Sequence, residues 1–262
     1  MDTRPKQIFG WSVMGLANTG SVAVVVGGSG GIGSDICRRL AADGHRVVVG
    51  YVSRQERAEA LVAELGAGHA AMKIVATDPE SLKGAKLSIE ADFGRVDALV
   101  NCAGVTRPVA HDDLDSLDDD LIDRIFSVNW RGPFAAIRTF RSLLEIAPDP
   151  VVVNISSVAA ITGLGSNVAY CASKAALDSL TRSLARSLAP KIRVVSVSPG
   201  WVEGEYAASM PPGFVDGQRD ATPLQRLASP GNVAAAVSAV ITDLTCTTGV
   251  AIPVDGGRPL GV

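Results

Sequence analysis

Short apolar runs recur along the chain and alternate with longer stretches whose apolar residues repeat at helical spacing. The runs occupy residues 21–26, 46–51, 70–75, 98–100, 151–155, 194–197 and 250–254. They are nearly continuous in Val, Ile and Ala, the pattern of strands covered on both faces. Between them the spacing predicts helices over 31–43, 55–65, 79–91, 121–145, 168–188 and 232–242. Strand–helix alternation of this kind builds βαβ units, and so an α/β doubly wound parallel sheet in three layers, αβα. No repeat, low-complexity tract or internal linker divides it, so residues 21–262 read as a single domain.

Residues 1–20 mix charge, Pro and Gly ahead of the first strand and read as a disordered or loosely packed extension. They lack the apolar core and small-residue cleavage site of a signal peptide, and Met14 is an alternative start. The least regular region, 200–229, is rich in Gly, Pro and Met and follows a predicted strand. A substrate lid and a plain long connection both fit it.

The 262 residues, 47% hydrophobic and 19% charged, suffice to bury one large core. A net charge of −3, with Lys and Arg dispersed, argues against a nucleic-acid partner. No apolar stretch approaches the ~20 residues of a membrane helix. Cys37, Cys102, Cys171 and Cys246 form no C-x-x-C pair, and His45, His69 and His111 lack ligand spacing. No metal site is therefore expected, and the thiols read as reduced in a cytoplasmic protein.

The first strand runs into G-G-S-G-G-I-G at residues 27–33 and then a helix. Glycines permit a tight turn, let the backbone approach a pyrophosphate and let the helix pack close to the strand. The helix start adds free N–H groups and partial positive charge. A glycine loop after an apolar strand, at the head of a βαβ series, is a dinucleotide-binding signal.

Far downstream, Tyr170 and Lys174 share one helix face in Y-C-A-S-K, and Ser157 precedes the tyrosine by thirteen residues. An ammonium beside a phenol is expected to pull its pKa down from about 10 and so equip Tyr170 as an acid/base. The Ser157 hydroxyl is placed to hold a substrate oxygen.

Together these pieces resemble the short-chain dehydrogenase/reductase family, from about residue 21 to 261. The loop matches its T-G-x-x-x-G-x-G through Gly27, Gly31 and Gly33, with Val26 in the threonine place. N-C-A-G at 101–104, V-N at Val128 and Asn129, I-S-S ending on Ser157, Y-x-x-x-K, S-P-G at 198–200 and V-D-G-G at 254–257 follow in the family's order. Val75 stands where an aspartate is common, and Gly204 where a threonine is usual.

The resemblance implies a Rossmann-type fold and an oxidoreductase passing hydride between a nicotinamide and a ketone or secondary alcohol. It implies Tyr170 as general acid/base and Ser157 as orienting hydroxyl. Lys174 serves both the tyrosine and the cofactor ribose, and Asn129 holds a relay water. Cofactor contacts are implied at Gly27, Ser29, Gly31, Ile32 and Gly33, at Tyr51, Ser53 and Arg54, and at Asn101, Ala103 and Gly104. Pro199, Gly200 and Val202, with Tyr170 and Lys174, complete the set.

The end of the second strand offers no carboxylate before Glu56, whereas Ser53 and Arg54 suit a 2′-phosphate, so NADP(H) is favoured over NAD(H). Against this, Gly30 fills a loop place that is basic in many NADP-using relatives.

The nearest resemblance is to reductases of 3-oxoacyl thioesters on acyl carrier protein, through T-P-L-x-R-L at 222–227 and V-D-G-G. Sugar, polyol and small-alcohol dehydrogenases share it. Arg182, Arg186 and Lys191 suit an acidic carrier or a solvated helix face equally. A non-catalytic nucleotide-binding regulator and a nucleotide-sugar epimerase are the other readings. A homotetramer, packed through the helices of Asn129 and Tyr170 and through the last strand, is expected by resemblance.

Overall fold

The first strand, β1 (Val22–Val26), is buried along its whole length and pairs in parallel with β2 (Arg46–Tyr51) on one side and β4 (Ala98–Asn101) on the other. With β3 (Ala70–Lys73), β5 (Val151–Ile155), β6 (Arg193–Pro199) and β7 (Ala251–Val254) the sheet has the order β3-β2-β1-β4-β5-β6-β7, parallel throughout. The helices are α1 (Gly31–Ala42), α2 (Gln55–Leu65), α3 (Pro79–Phe93), α4 (Asp119–Phe126), α5 (Gly132–Ile146) and α6 (Ala159–Thr162). They continue with α7 (Val168–Leu188), α8 (Glu205–Ala208), α9 (Phe214–Asp220) and α10 (Pro230–Thr242). This computed structural model describes residues 20–260; the extension expected over 1–20 lies, up to residue 19, outside them.

Alternate residues of each strand feed opposite cores, as the two-residue period of a strand requires. Val25, Val49, Val100 and Val153 face Ile36 and Leu40 of α1 and Val237 of α10. Val24, Val48, Leu99 and Val152 face Ile89 of α3 and Phe140 and Leu144 of α5. Each fully buried aliphatic side chain contributes roughly 1.5–3 kcal/mol, and the two layers fix the strand register that aims the site.

Two departures from the sequence pattern concern function. The single helix expected over 121–145 is interrupted: α4 ends at Phe126, a π-helical turn covers Ser127–Arg131, and α5 begins at Gly132. Pro133 has no N–H to donate, so the ordinary i→i−4 bond to the Asn129 carbonyl cannot form there. The irregular stretch 200–229 holds two short helices, α8 and α9, and a bridge between Val202 and Ala228. Among the described residues no helix is long and apolar enough to cross a membrane, and no cluster of metal-ligating side chains occurs.

Candidate active site

The strand order reverses between β1 and β4, which opens a crevice at the carboxyl ends of the strands. The glycine loop lies there. A Cβ on Gly27 would stand 2.7 Å from the Ala103 amide nitrogen, and one on Gly33 would stand 2.2 Å from the Gly27 carbonyl oxygen, so neither position admits a side chain. Helix α1 starts from Gly30 without a side-chain cap. The N–H groups of Gly31, Ile32 and Gly33 therefore face the crevice end without intrahelical partners. Ser29 ties the loop to β2 through a 3.4 Å bond from its N–H to the Gly50 carbonyl. Tyr51 is half-buried at the end of β2, and Ser53 and Arg54 are exposed just beyond it. This cradle, closed to side chains at Gly27 and Gly33 and lined by free N–H groups, fits a dinucleotide pyrophosphate.

On the other side of the switch, Asn101 closes β4, buried, with its Nδ2 donating to Asn154 Oδ1 at 2.8 Å and its own Oδ1 unpartnered. A Cβ on Gly104 would lie 3.5 Å from Asn129 Oδ1 and 3.7 Å from Lys174 Nζ, so these three residues meet at one point. Pro199 ends β6 and accepts from the Val158 N–H at 3.0 Å, which ties S-P-G to the loop carrying Ser157. Gly200 donates its N–H to the Val254 carbonyl at 3.0 Å, drawing V-D-G-G against the same rim. Val202 follows on the half-buried start of the 200–229 segment.

Helix α7 carries two of the candidate catalytic residues, Tyr170 and Lys174. Asn167 caps it, accepting from the Tyr170 N–H at 2.7 Å while its Nδ2 donates to the Arg107 carbonyl at 2.8 Å. Ser157 lies beside Tyr170, close enough for its hydroxyl to favour the phenolate. Lys174 is 5% exposed; its ammonium donates to the Ile155 carbonyl at 2.8 Å and stands 5.8 Å from the centre of the Tyr170 ring.

These surroundings correct one expectation. Tyr170 is pushed up to about 12, not pulled down: burial of its hydroxyl outweighs the Ser157 hydrogen bond, and Tyr206 and Cys171 add to the rise. Lys174 is lowered to about 8, again chiefly by burial, with Cys102 and Asp178 opposing. One of the three ammonium N–H groups donates to a backbone carbonyl, and burial dominates the shift of the phenol.

Asn129 is fully buried in the π-helical turn. Its Oδ1 accepts from the Val105 N–H at 2.8 Å, and its Nδ2 donates to the Val105 carbonyl at 3.0 Å and to Ser173 Oγ at 3.1 Å. Both amide protons are committed, so any water held here falls to the backbone carbonyl that Pro133 leaves without its usual donor.

Sequence reasoning passed over several residues of the rim. Trp201 stacks on Tyr206 with ring centres 5.9 Å apart and meets Phe214 edge-on at 5.0 Å. Tyr206 also lies near Ser166, just before α7, and near Tyr170, whose pKa it helps to raise. Aromatic residues in an irregular stretch carry no periodic signal, which is why the pattern did not reveal them. Of the residues weighed as a carrier contact, Arg182 and Arg186 lie in the C-terminal part of α7 and Lys191 just past its end. Sixteen residues of helix separate Tyr170 from Arg186, about 24 Å at 1.5 Å per residue. A carrier docked there would be remote from Tyr170, and Lys191 donates to the Ala147 carbonyl at 2.7 Å.

A family model described as enoyl-(acyl carrier protein) reductase matches residues 26–258. The 3-oxoacyl-[acyl-carrier-protein] reductase FabG of Staphylococcus aureus is 30% identical over 90% of this chain and 96% of its own length. The 2,5-dichloro-2,5-cyclohexadiene-1,4-diol dehydrogenase LinX of Sphingobium indicum is 29% identical over 93% of this chain and 98% of its own. Among solved structures, a 3-ketoacyl-(acyl-carrier-protein) reductase from Brucella melitensis complexed with NADH superposes with a TM-score of 0.83 at 30% identity, covering 92% of this chain and 99% of that one. With its seven-stranded parallel sheet and these relatives, the chain belongs to the short-chain dehydrogenase/reductase family of Rossmann-fold oxidoreductases.

Proposed function

We propose that the chain is an NADP(H)-dependent oxidoreductase that interconverts a ketone and a secondary alcohol, with a 3-oxoacyl thioester as leading substrate class and Tyr170 as general acid/base. The observation that carries this reading is buried Lys174 held 5.8 Å from the Tyr170 ring centre, with Ser157 alongside, next to a glycine cradle. The cradle from Gly27 to Gly33, with Asn101, Ala103, Gly104, Pro199, Gly200 and Val202 around it, holds the nicotinamide cofactor; when bound, that cofactor supplies or accepts the hydride. Tyr51, Ser53 and Arg54 border its adenosine end. Arg54 is joined there by a second cation, Arg57, which favours a 2′-phosphate, although the Brucella relative was solved with NADH.

In the reductive direction Ser157 donates to the substrate carbonyl oxygen and holds it beside Tyr170. The phenol, neutral at pH 7 with its pKa near 12, gives its proton to that oxygen as negative charge develops there. Lys174 stabilises the phenolate left behind and binds the cofactor ribose. A water on the Asn129 carbonyl returns a proton through Lys174.

A free small carbonyl is the second substrate reading, and the acidic rim favours it. Residues 112–123 carry seven aspartates, and this stretch follows a loop that docks on the turn before α7, through Val109 to Ser166 at 2.8 Å and His111 to Gly165 at 3.0 Å. That charge repels an acidic carrier protein. Four free cysteines are consistent with a reducing cytoplasm. The exposed edge of β7, where Ala251 and Pro253 face outward, supports assembly into a homotetramer.

Cofactor oxidation measured with NADPH and NADH over a panel of free ketones, 3-oxoacyl thioesters and carrier-bound substrates tests the reading. Turnover with NADPH and a 3-oxoacyl thioester is expected. Tight cofactor binding without turnover across the panel would establish the regulator instead. Arg54→Asp is expected to move preference toward NADH; unchanged KM values for both cofactors would remove Arg54 from the site.

A further inference from the structure

Glu205 opens α8, and its carboxylate is gripped from two sides. Oε1 accepts from Arg57 Nη1 at 2.9 Å and Oε2 from Arg54 Nη1 at 3.4 Å. Both arginines stand at the start of α2, immediately past the end of β2, whereas Glu205 belongs to the segment that follows β6. Two guanidinium groups converging on the two oxygens of one carboxylate form a site suited to an oxyanion.

We propose that Glu205 occupies the 2′-phosphate site made by Arg54 and Arg57, so that NADP(H) binds by displacing it, and that Glu205 and Arg57 thereby set the cofactor preference. This rests on the NADP(H) reading above. A phosphate monoester brings about −1.5 to −2 charge and three acceptor oxygens at neutral pH, against one charge and two oxygens on Glu205. Both ion pairs are open to water, with Arg54 52%, Arg57 56% and Glu205 68% exposed, so the carboxylate is held weakly enough to be exchanged. NADH has no group to take its place and leaves Glu205 where it is.

The exchange has a second consequence, because Glu205 adjoins Tyr206. Displacement frees the first residue of α8 from α2, and α8 carries the Tyr206 ring stacked on Trp201 beside the reacting tyrosine. The adenosine end of the crevice is thereby joined to the substrate rim by one residue.

Calorimetric titration of the full-length protein with 2′,5′-ADP and with 5′-AMP separates the possibilities without any turnover. The wild type is expected to prefer 2′,5′-ADP. Glu205→Gln, which keeps the side-chain shape and removes the competing charge, is expected to bind 2′,5′-ADP roughly three- to tenfold more tightly and 5′-AMP unchanged; Arg57→Ala in that background cancels the gain. A wild type that prefers 2′,5′-ADP, with a ratio that Glu205→Gln leaves unchanged or lowers, overturns the displacement and leaves the NADP(H) reading standing. No preference for 2′,5′-ADP in either protein overturns both.

Discussion

The Lys174 ammonium lies 5.8 Å from the centre of the Tyr170 ring and donates to the Ile155 carbonyl at 2.8 Å. One helical turn brings the two residues together, but burial governs both: the phenol is raised to about 12 and the ammonium lowered to about 8. Tyr170 therefore keeps its proton at neutral pH, and on the proposed reading it would act as an acid for carbonyl reduction, while alcohol oxidation would first have to remove that proton.

The pH dependence follows from Lys174. Its charged form prevails below about 8, so kcat/KM for reduction, which reports the free enzyme, is expected to hold level below that value and to fall as pH rises through it. Lys174→Met lowers activity and loses the inflection. A wild-type profile that stays level well above pH 8 would contradict the assignment.

The same burial has a stability sign. Lys174 has a folded pKa of about 8 against 10.5 for the ordinary group, so the unfolded chain binds more protons between those values. The folded state bears the full penalty below pH 8 and is relieved of it as pH rises to 10.5. Lys174→Met is expected to raise Tm at pH 7, with the gain shrinking across that window; a lower Tm at pH 7 would refute it.

Asn129→Ala removes three hydrogen bonds and leaves the Val105 N–H and carbonyl without partners in a part-buried setting. A buried polar group left unpaired costs about 1–3 kcal/mol, so a loss of several degrees in Tm is expected along with the loss of activity. An unchanged Tm would show that the carboxamide does not brace the Val105 loop.

Gly204 has φ +137°, in the region that side chains rarely adopt, and immediately precedes α8 as its N-cap. The threonine that the family resemblance leads one to expect here would be strained on this backbone. Gly204→Thr is expected to weaken cofactor binding by disturbing α8 rather than to strengthen it through a restored contact. Tighter NADPH binding by Gly204→Thr would show the opposite.

Strand positions were legible because both faces of the sheet are buried, which leaves unbroken Val and Ile runs such as Val22–Val26. The glycine loop was legible because Gly27 and Gly33 are required by close backbone approach, a constraint visible as residue type. The break at Ser127–Arg131 was not, since α4 and α5 continue one apolar stripe and only Pro133 marks the lost hydrogen bond. The direction of the Tyr170 shift was hidden too. Helical spacing gives the neighbour at i+4, but not the desolvation that the surrounding fold imposes. Likewise Glu205 and Arg57, 148 residues apart, meet through the fold alone.

The proton carried by Tyr170 is the central claim, and Tyr170→Phe tests it most directly. Steady-state turnover of a ketone with NADPH should fall by about 10²–10⁴-fold, the scale of a lost general acid, while NADPH affinity measured by titration stays close to wild type. A variant that keeps most of its kcat would contradict the account.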